Sequence, residues 1–285
     1  MRKILCPTDF SGTSDKAMEY AVHTAQHAGA HLTLLHVVHL PIVDTSETAL
    51  VASELLGEQM RYAAEKLKAT VLRLEERYGA NRDGGFTCDY LLKEALLTDV
   101  AEHLSKQEGY NLIVMGTTGC DSTMEELLIG SNTEAVMEEV KCAVLSVPKQ
   151  APAPKIEHIV YASDYSREDI AAMQEVVEMG SFFGAKIDVV HIVKDQGKQD
   201  AEEAAAFRLE LQALFPDVPL SFQELTNKHR DEGLMEYYNQ VGGDVMAMVR
   251  REKGFLKSLF TQGLAERMTY QAKVPLLVLH GKKEV

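Results

Sequence analysis

Residues 111–134 read Asn111-Leu-Ile-Val-Met115, then Gly-Thr-Thr-Gly-Cys-Asp-Ser-Thr-Met-Glu-Glu-Leu-Leu-Ile-Gly-Ser-Asn-Thr-Glu through Glu134. An apolar run passes directly into a loop with glycines at 116, 119 and 130. Backbone N–H groups approach an anion closely only where no Cβ intervenes, so Gly116, Gly119 and Gly130 suggest a cradle for phosphate. Ser131 then opens a helix, and with Glu134 it forms an S-x-x-E capping box. A helix N-terminus carries unsatisfied N–H groups and a partial positive charge, so a structural cap and an anion site can occupy the same place. Spacing alone leaves both roles for Ser131 open.

Outward from this stretch the chain alternates apolar runs and amphipathic segments. Lys3 to Cys6 reads as a first strand, followed by Pro7-Thr8-Asp9-Phe10-Ser11 and a helix from about Ser14 to His27 that Gly29 ends. Leu32 to Val38 is a near-continuous apolar strand of the kind buried inside a parallel sheet. Residues 39 to 53 read as a loop, Ser53 to Tyr78 as a long helix, Phe86 to Leu92 as the third strand and Thr98 to Lys106 as the third helix. Leu112 to Met115 and Ala143 to Val147 complete five strands. Strands and helices alternating at these lengths predict an α/β fold, a doubly wound, Rossmann-like parallel sheet.

The pattern then begins again. Ile159-Val-Tyr-Ala-Ser-Asp-Tyr-Ser166 matches Ile4-Leu-Cys-Pro-Thr-Asp-Phe-Ser11 at a constant offset of 155, which also pairs Gly29-Ala30 with Gly184-Ala185 and His36 with His191. Further on, Asn111 to Met115 corresponds to Asp244 to Met248, and Lys141 to Leu145 corresponds to Lys273 to Leu277. The sequence therefore predicts two tandem five-stranded domains, 1–148 and 156–285, joined by a stiff, proline-containing linker at 149–155. At the places of Gly116, Gly119, Gly130 and Ser131 the second half has Val249, Glu252, Gln262 and, after a gap, Gly263. It also carries Arg250, Arg251, Lys253 and Lys257, which read either as a solvated charged loop or as a basic surface for an anion or partner.

A formal charge of −14 over 285 residues argues against a general nucleic-acid or anionic-membrane binder. No run approaches the roughly 18 apolar residues of a membrane span, and the N-terminus lacks a secretory core, so the expected location is cytoplasmic. Cys6, Cys88, Cys120 and Cys142 show no C-x-x-C spacing, against a zinc site or a disulfide framework. Cys120, inside the glycine loop, is either a bland loop residue or an exposed thiol. His23 and His27 stand one helical turn apart without a completing ligand and read as a solvated face rather than a metal site. His36 and His191, at equivalent strand ends, read as hydrogen-bonded structural histidines.

In an open α/β sheet the ligand crevice lies beyond the carboxyl ends of the strands, where the strand order reverses. If the first and fourth strands are neighbours, Asp9 faces a nucleoside while the glycine loop holds phosphates; the other reading of Asp9 is a local cap for the following helix. There is no G-x-S-x-G elbow, H-E-x-x-H or Walker lysine, and no dedicated catalytic residue is expected.

The Pro-Thr-Asp-Phe-Ser start, the Leu-Leu-His-Val-Val second strand and the V-M-G-T-T-G…G-S-N-T-E block together resemble the universal stress protein family in its tandem, two-domain form. That family's motif is G-x2-G-x9-G-[S/T]; here ten residues separate Gly119 from Gly130. The resemblance implies an adenine nucleotide alpha hydrolase-like fold and a cytoplasmic stress-response regulator that binds ATP, with Mg²⁺ as the phosphate counter-ion. It implies that Gly116 and Gly119 approach the phosphates and ribose and that Gly130 and Ser131 hold the phosphates. Thr8 and Asp9 would line the nucleoside side and Val38 would offer its backbone to adenine, with Pro7, Met115 and Asn132 completing the set. It further implies that Ala143 to Val147 and Leu276 to Leu279 pair the two domains in an internal pseudo-dimer, with a homodimer and an unidentified protein partner as further assemblies. Two other readings stand beside it: an interaction or scaffold protein without nucleotide, and a slow ATPase.

Overall fold

The computed structural model describes residues 1–39, 46–79, 86–117, 131–193, 198–250 and 273–281. The first half comprises strands β1 (Lys3–Pro7), β2 (His31–Val38), β3 (Thr87–Glu94), β4 (Leu112–Gly116) and β5 (Ala143–Val147), interleaved with helices α1 (Gly12–Ala28), α2 (Ser46–Tyr78), α3 (Leu97–Gln107) and α4 (Ser131–Glu139). The second half comprises β6 (His158–Ala162), β7 (Lys186–Val193), β8 (Leu220–Thr226), β9 (Val245–Val249) and β10 (Leu276–Leu279), with α5 (Arg167–Phe183), α6 (Lys198–Leu214) and α7 (Arg230–Val241). Helix α2 starts at Ser46, earlier than the expected Ser53. Ser46-Glu-Thr-Ala-Leu-Val-Ala contains no glycine or proline to stop a helix, and the expectation of a loop through residue 53 is corrected to that extent.

Among the described residues the ten strands form one sheet in the order β3-β2-β1-β4-β5-β10-β9-β6-β7-β8. Within each half every pairing is parallel; the halves meet at β5 and β10, the pairing that the family resemblance implied, and these two strands run antiparallel. Leu145 stands opposite Leu277, the residue that the sequence correspondence assigns to the same position. A residue facing its own counterpart is the signature of an isologous, two-fold contact, realised here within one chain. It also removes the apolar edge that each half would otherwise expose.

Alternate residues of each strand point to opposite faces, and both faces are apolar because both are covered. On one side Ile4, Cys6, Leu32 and Leu34 pack under α1 and α2, continuous with Ile159 and Tyr161 under α5. On the other, Leu5, Leu35 and Ile113 pack with α3 and α4, continuous with Val160, Val190 and Met246 beside α7. The segment between the halves is tied down: Ala151 and Ile156 are buried, and the Tyr20 hydroxyl donates to Pro152 O at 3.3 Å.

Candidate functional site

Strand β1 pairs with β2 on one side and with β4 on the other, so the strand order of the first half turns back between β1 and β4. The carboxyl ends of these two strands bring Pro7, Thr8 and Asp9 next to Met115 and Gly116, and α4 begins shortly beyond, at Ser131. Gly119 and Gly130 lie outside the described residues, as do Cys120 and the side chain of Ser131. Asn132 is exposed in the first turn of α4. Val38 ends β2 with its side chain buried, and Met115 is buried in the core beneath the site, so neither offers a side chain to a ligand.

The loop after β1 is built by a chain of hydroxyls. The Phe10 N–H donates to Thr8 Oγ1 at 3.1 Å, the Thr8 hydroxyl lies 3.1 Å from Ser14 Oγ, and the Ser14 hydroxyl donates to Ser11 O at 2.9 Å. Phe10 adopts a left-handed conformation (φ 63°), an uncommon state for a large side chain, and its ring packs on His36 at 4.6 Å. His36 Nδ1 donates to Thr8 O at 2.7 Å, which bears out the structural role expected of this histidine. Asp9 does not cap α1. Ser11 does, accepting the Ser14 N–H at 3.2 Å, while Asp9 Oδ1 accepts the Ser11 N–H at 3.0 Å and shapes the turn before the cap. Asp9 is exposed, and among the described residues its own N–H and its second carboxylate oxygen have no protein partner.

Gly116 has a packing reason of its own. A Cβ there would lie 2.6 Å from Thr13 Cγ2 and 3.1 Å from the Thr13 carbonyl, so the first turn of α1 can rest on the end of β4 only because residue 116 is glycine. Thr133 Oγ1 donates to Gly116 O at 2.8 Å and ties the start of α4 to the same strand end. Neither Thr13 nor Thr133 stood out in the sequence, because a threonine in a first helical turn carries no local mark of its tertiary partner.

The second half repeats the loop with a different interior. Ser163, Tyr165 (φ 65°), Ser166 and His191 reproduce the hydrogen bonds of Thr8, Phe10, Ser11 and His36, with His191 Nδ1 donating to Ser163 O at 2.8 Å. Where the first half has Ser14, the second has Asp169, fully buried. Its carboxyl accepts from the Tyr161 hydroxyl at 2.7 Å, the Ser163 hydroxyl at 2.9 Å, Asp164 N at 3.0 Å and Ser166 N at 3.2 Å. Burial pushes the Asp169 carboxyl up from its ordinary range, partly offset by these hydrogen bonds. Beyond the ends of β6, β7 and β9 lies a cavity of about 100 Å³, lined by Ser163, Asp164, His191, Arg230, Met248 and Val249 among others.

Two side-chain readings from the sequence are refined. His27 is exposed and His23 half-buried, and both rings also pack on Phe183 of α5, at 4.7 and 5.3 Å, where the helices of the two halves meet. Arg250 is not part of a solvated run. It is half-buried and donates through Nη1 to Glu138 O at 2.7 Å, while Arg251, Lys253 and Lys257 lie outside the described residues. Among the described residues no group of His, Cys, Asp or Glu is arranged to hold a metal ion, and no helix is long and apolar enough to cross a membrane. Cys6 and Cys88 are buried free thiols; burial raises both, and Cys88 reaches about 12, so neither is a nucleophile at neutral pH.

Comparison with known proteins adds to this geometry. The model of the universal stress protein family matches residues 1–148. A universal stress protein of Methanocaldococcus jannaschii is 31% identical over 151 residues, covering 52% of this chain and 82% of that protein. One of Bacillus subtilis is 31% identical over 147 residues, covering 51% of this chain and 97% of that protein. A crystal structure of a universal stress protein from Archaeoglobus fulgidus superimposes over 98% of both chains with a TM-score of 0.71 at 17% identity, a likeness of fold across both halves.

Proposed function

Because this chain belongs to the universal stress protein family, we propose that it is a stress-response protein whose first half, residues 1–148, binds ATP or another adenine nucleotide at the β1–β4 switch point. The observation that carries this reading is the meeting of three elements there: an exposed Asp9 whose N–H has no partner among the described residues, the strand end at Gly116, and the start of α4 at Ser131, tied to Gly116 O by Thr133. The nucleoside would lie along Thr8, Asp9 and the backbone of Val38. The phosphates, with Mg²⁺ as counter-ion, would lie at the glycine loop and the N-terminal end of α4, where the helix dipole favours negative charge. The site is one for binding rather than turnover, and the protein would act in the cytoplasm by presenting its ligand state to a protein partner. Residues 156–285, joined through 149–155, would serve as the internal partner of the first half.

The test is the nucleotide content of freshly purified protein, released by heat and separated by chromatography, with Gly130→Asp as control. The wild type should release stoichiometric adenine nucleotide and the variant none. Added ATP at a hundredfold excess over Kd should raise wild-type stability by about 2.7 kcal/mol. Protein that carries no nucleotide and whose melting temperature ignores ATP would overturn this reading and favour an interaction protein without a ligand.

A further inference from the structure

Helix α4 is short, and its last turn is electrostatically unfavourable on its own. It ends in Glu138 and Glu139 with no basic residue in that turn, so two carboxylates stand where the helix dipole presents its negative end and unpaired carbonyls. The missing cation comes from the other half of the molecule. Arg250, 112 residues away in sequence, places Nη1 on Glu138 O. The arginine is itself anchored, since its N–H donates to Leu279 O at 2.8 Å and extends the β9–β10 ladder by one residue. Beside it His280 is half-buried, and burial with the Arg250 charge lowers its pKa, which leaves Arg250 as the cation at this place at neutral pH.

Among the described residues the position equivalent to Arg250 makes no such contact. The equivalent of Arg250 in the first half is Thr117, whose N–H likewise donates to the last residue of the neighbouring strand, Val147 O at 3.2 Å. Threonine cannot reach a helix terminus as a guanidinium does. Through this residue the second half holds a helix of the first, while the second-half segment at the place of α4 lies outside the described residues.

We infer that Arg250 is a positioning residue for the phosphate end of the first-half site: by fixing the C-terminal turn of α4, it fixes the direction in which the N-terminal turn of that helix points. The helix is a strut about 13 Å long, at 1.5 Å per residue, with Arg250 at one end and Ser131 at the other. This inference rests on the nucleotide reading above and assigns the second half a task in it. The half without the glycine loop orients the helix that follows the loop.

The experiment is titration calorimetry of the full chain with ATP and, separately, with adenosine, which lacks the phosphates. Arg250→Met should weaken ATP binding about tenfold, the scale of one lost charged hydrogen bond, and change adenosine binding less than about twofold. Arg250→Lys should fall between them, and Arg230→Met, at the second-half cavity, should match the wild type. Hydrogen exchange of the α4 amides, measured without ligand, should be faster in Arg250→Met. ATP and adenosine weakening together, or unchanged ATP affinity in Arg250→Met, would overturn the positioning role while leaving the nucleotide reading intact. A wild type that binds neither ligand would sink the nucleotide reading and this role with it, and exchange would then report only whether the clamp on α4 exists.

Discussion

The loops after β1 and after β6 share a backbone and differ in one buried group. Both place an aromatic residue at positive φ, both hang a carbonyl on the imidazole of the next strand, and both end in a serine that caps a helix. In the first loop the interior is a relay of neutral hydroxyls that ends on Ser11 O. In the second it converges on the Asp169 carboxyl, which takes up the Asp164 N–H, whose counterpart at Asp9 has no protein partner among the described residues. The same fold element is thus locked from within in one half and open at its tip in the other.

The sharpest way to break that comparison is to remove the two interior groups in turn. Asp169→Ala removes the acceptor of the Tyr161 and Ser163 hydroxyls and of the Asp164 N–H, and should cost roughly 4 kcal/mol in urea unfolding, against about 1 kcal/mol for Ser14→Ala. Equal costs would mean that the carboxyl adds no lock. The pH dependence has a definite sign. Because the folded carboxyl is raised, its protonated form favours the native state at acid pH, and that contribution is lost as pH rises through the raised value. The stability of Asp169→Asn relative to the wild type should therefore climb as pH increases above the ordinary carboxylate range.

A second asymmetry lies just past the strands that join the halves, where Pro148 follows β5 and His280 follows β10. Burial, and then the charge of Arg250, lowers His280 from 6.5 to about 4. A depressed histidine stabilises the fold fully above its unfolded value and loses that contribution as pH falls between about 6.5 and 4. The loss amounts to about 3 kcal/mol over that window. His280→Gln should flatten the acid limb of the stability profile, while Pro148→Gln should leave it as it is.

The repeat and the parallel sheets were legible because they are written in contiguous patterns, the offset of 155 and the apolar strands, while the β5–β10 junction was legible only through the family resemblance. Thr8, Asp9 and Gly116 were legible as a group because the switch-point rule needs only strand order. What local patterns do not encode is the far partner. Phe183 gives the surface histidines His23 and His27 a contact between halves, and Glu138 O converts Arg250 from a loop charge into a helix cap. Gly116 read as a phosphate glycine, and its packing role was not legible, since the helix that needs its bare Cα begins about a hundred residues earlier in the chain.

That packing gives the third contrast. In the first half the first turn of α1 is approached by Gly116; in the second, β9 ends in Val249 and the close approach to α5 comes at Gly281, whose Cβ would lie 2.6 Å from Glu168 Cβ. Gly116→Ala should cost about 2 kcal/mol by forcing α1 off the strand end, and Thr13→Ser in the same chain should recover roughly half. No recovery would place the strain on the Thr13 backbone, 3.1 Å away, rather than on its methyl group.

The smallest contrast is in what covers the aromatic residue of each loop. Tyr165 is flanked by Phe207 at 5.1 Å, whereas Phe10 lies under the ammonium of Lys66 at 4.9 Å, which also sits 4.7 Å from the Tyr62 ring. A cation held over an aromatic face at a half-exposed site contributes about 0.5–1 kcal/mol. A double-mutant cycle of Lys66→Met with Phe10→Leu should return a coupling of that size. A coupling near zero would leave Phe10 held at positive φ by the loop's hydrogen bonds and His36 alone. The two loops would then owe their shared backbone to their shared imidazole and hydroxyl contacts, with the covering residue free to vary.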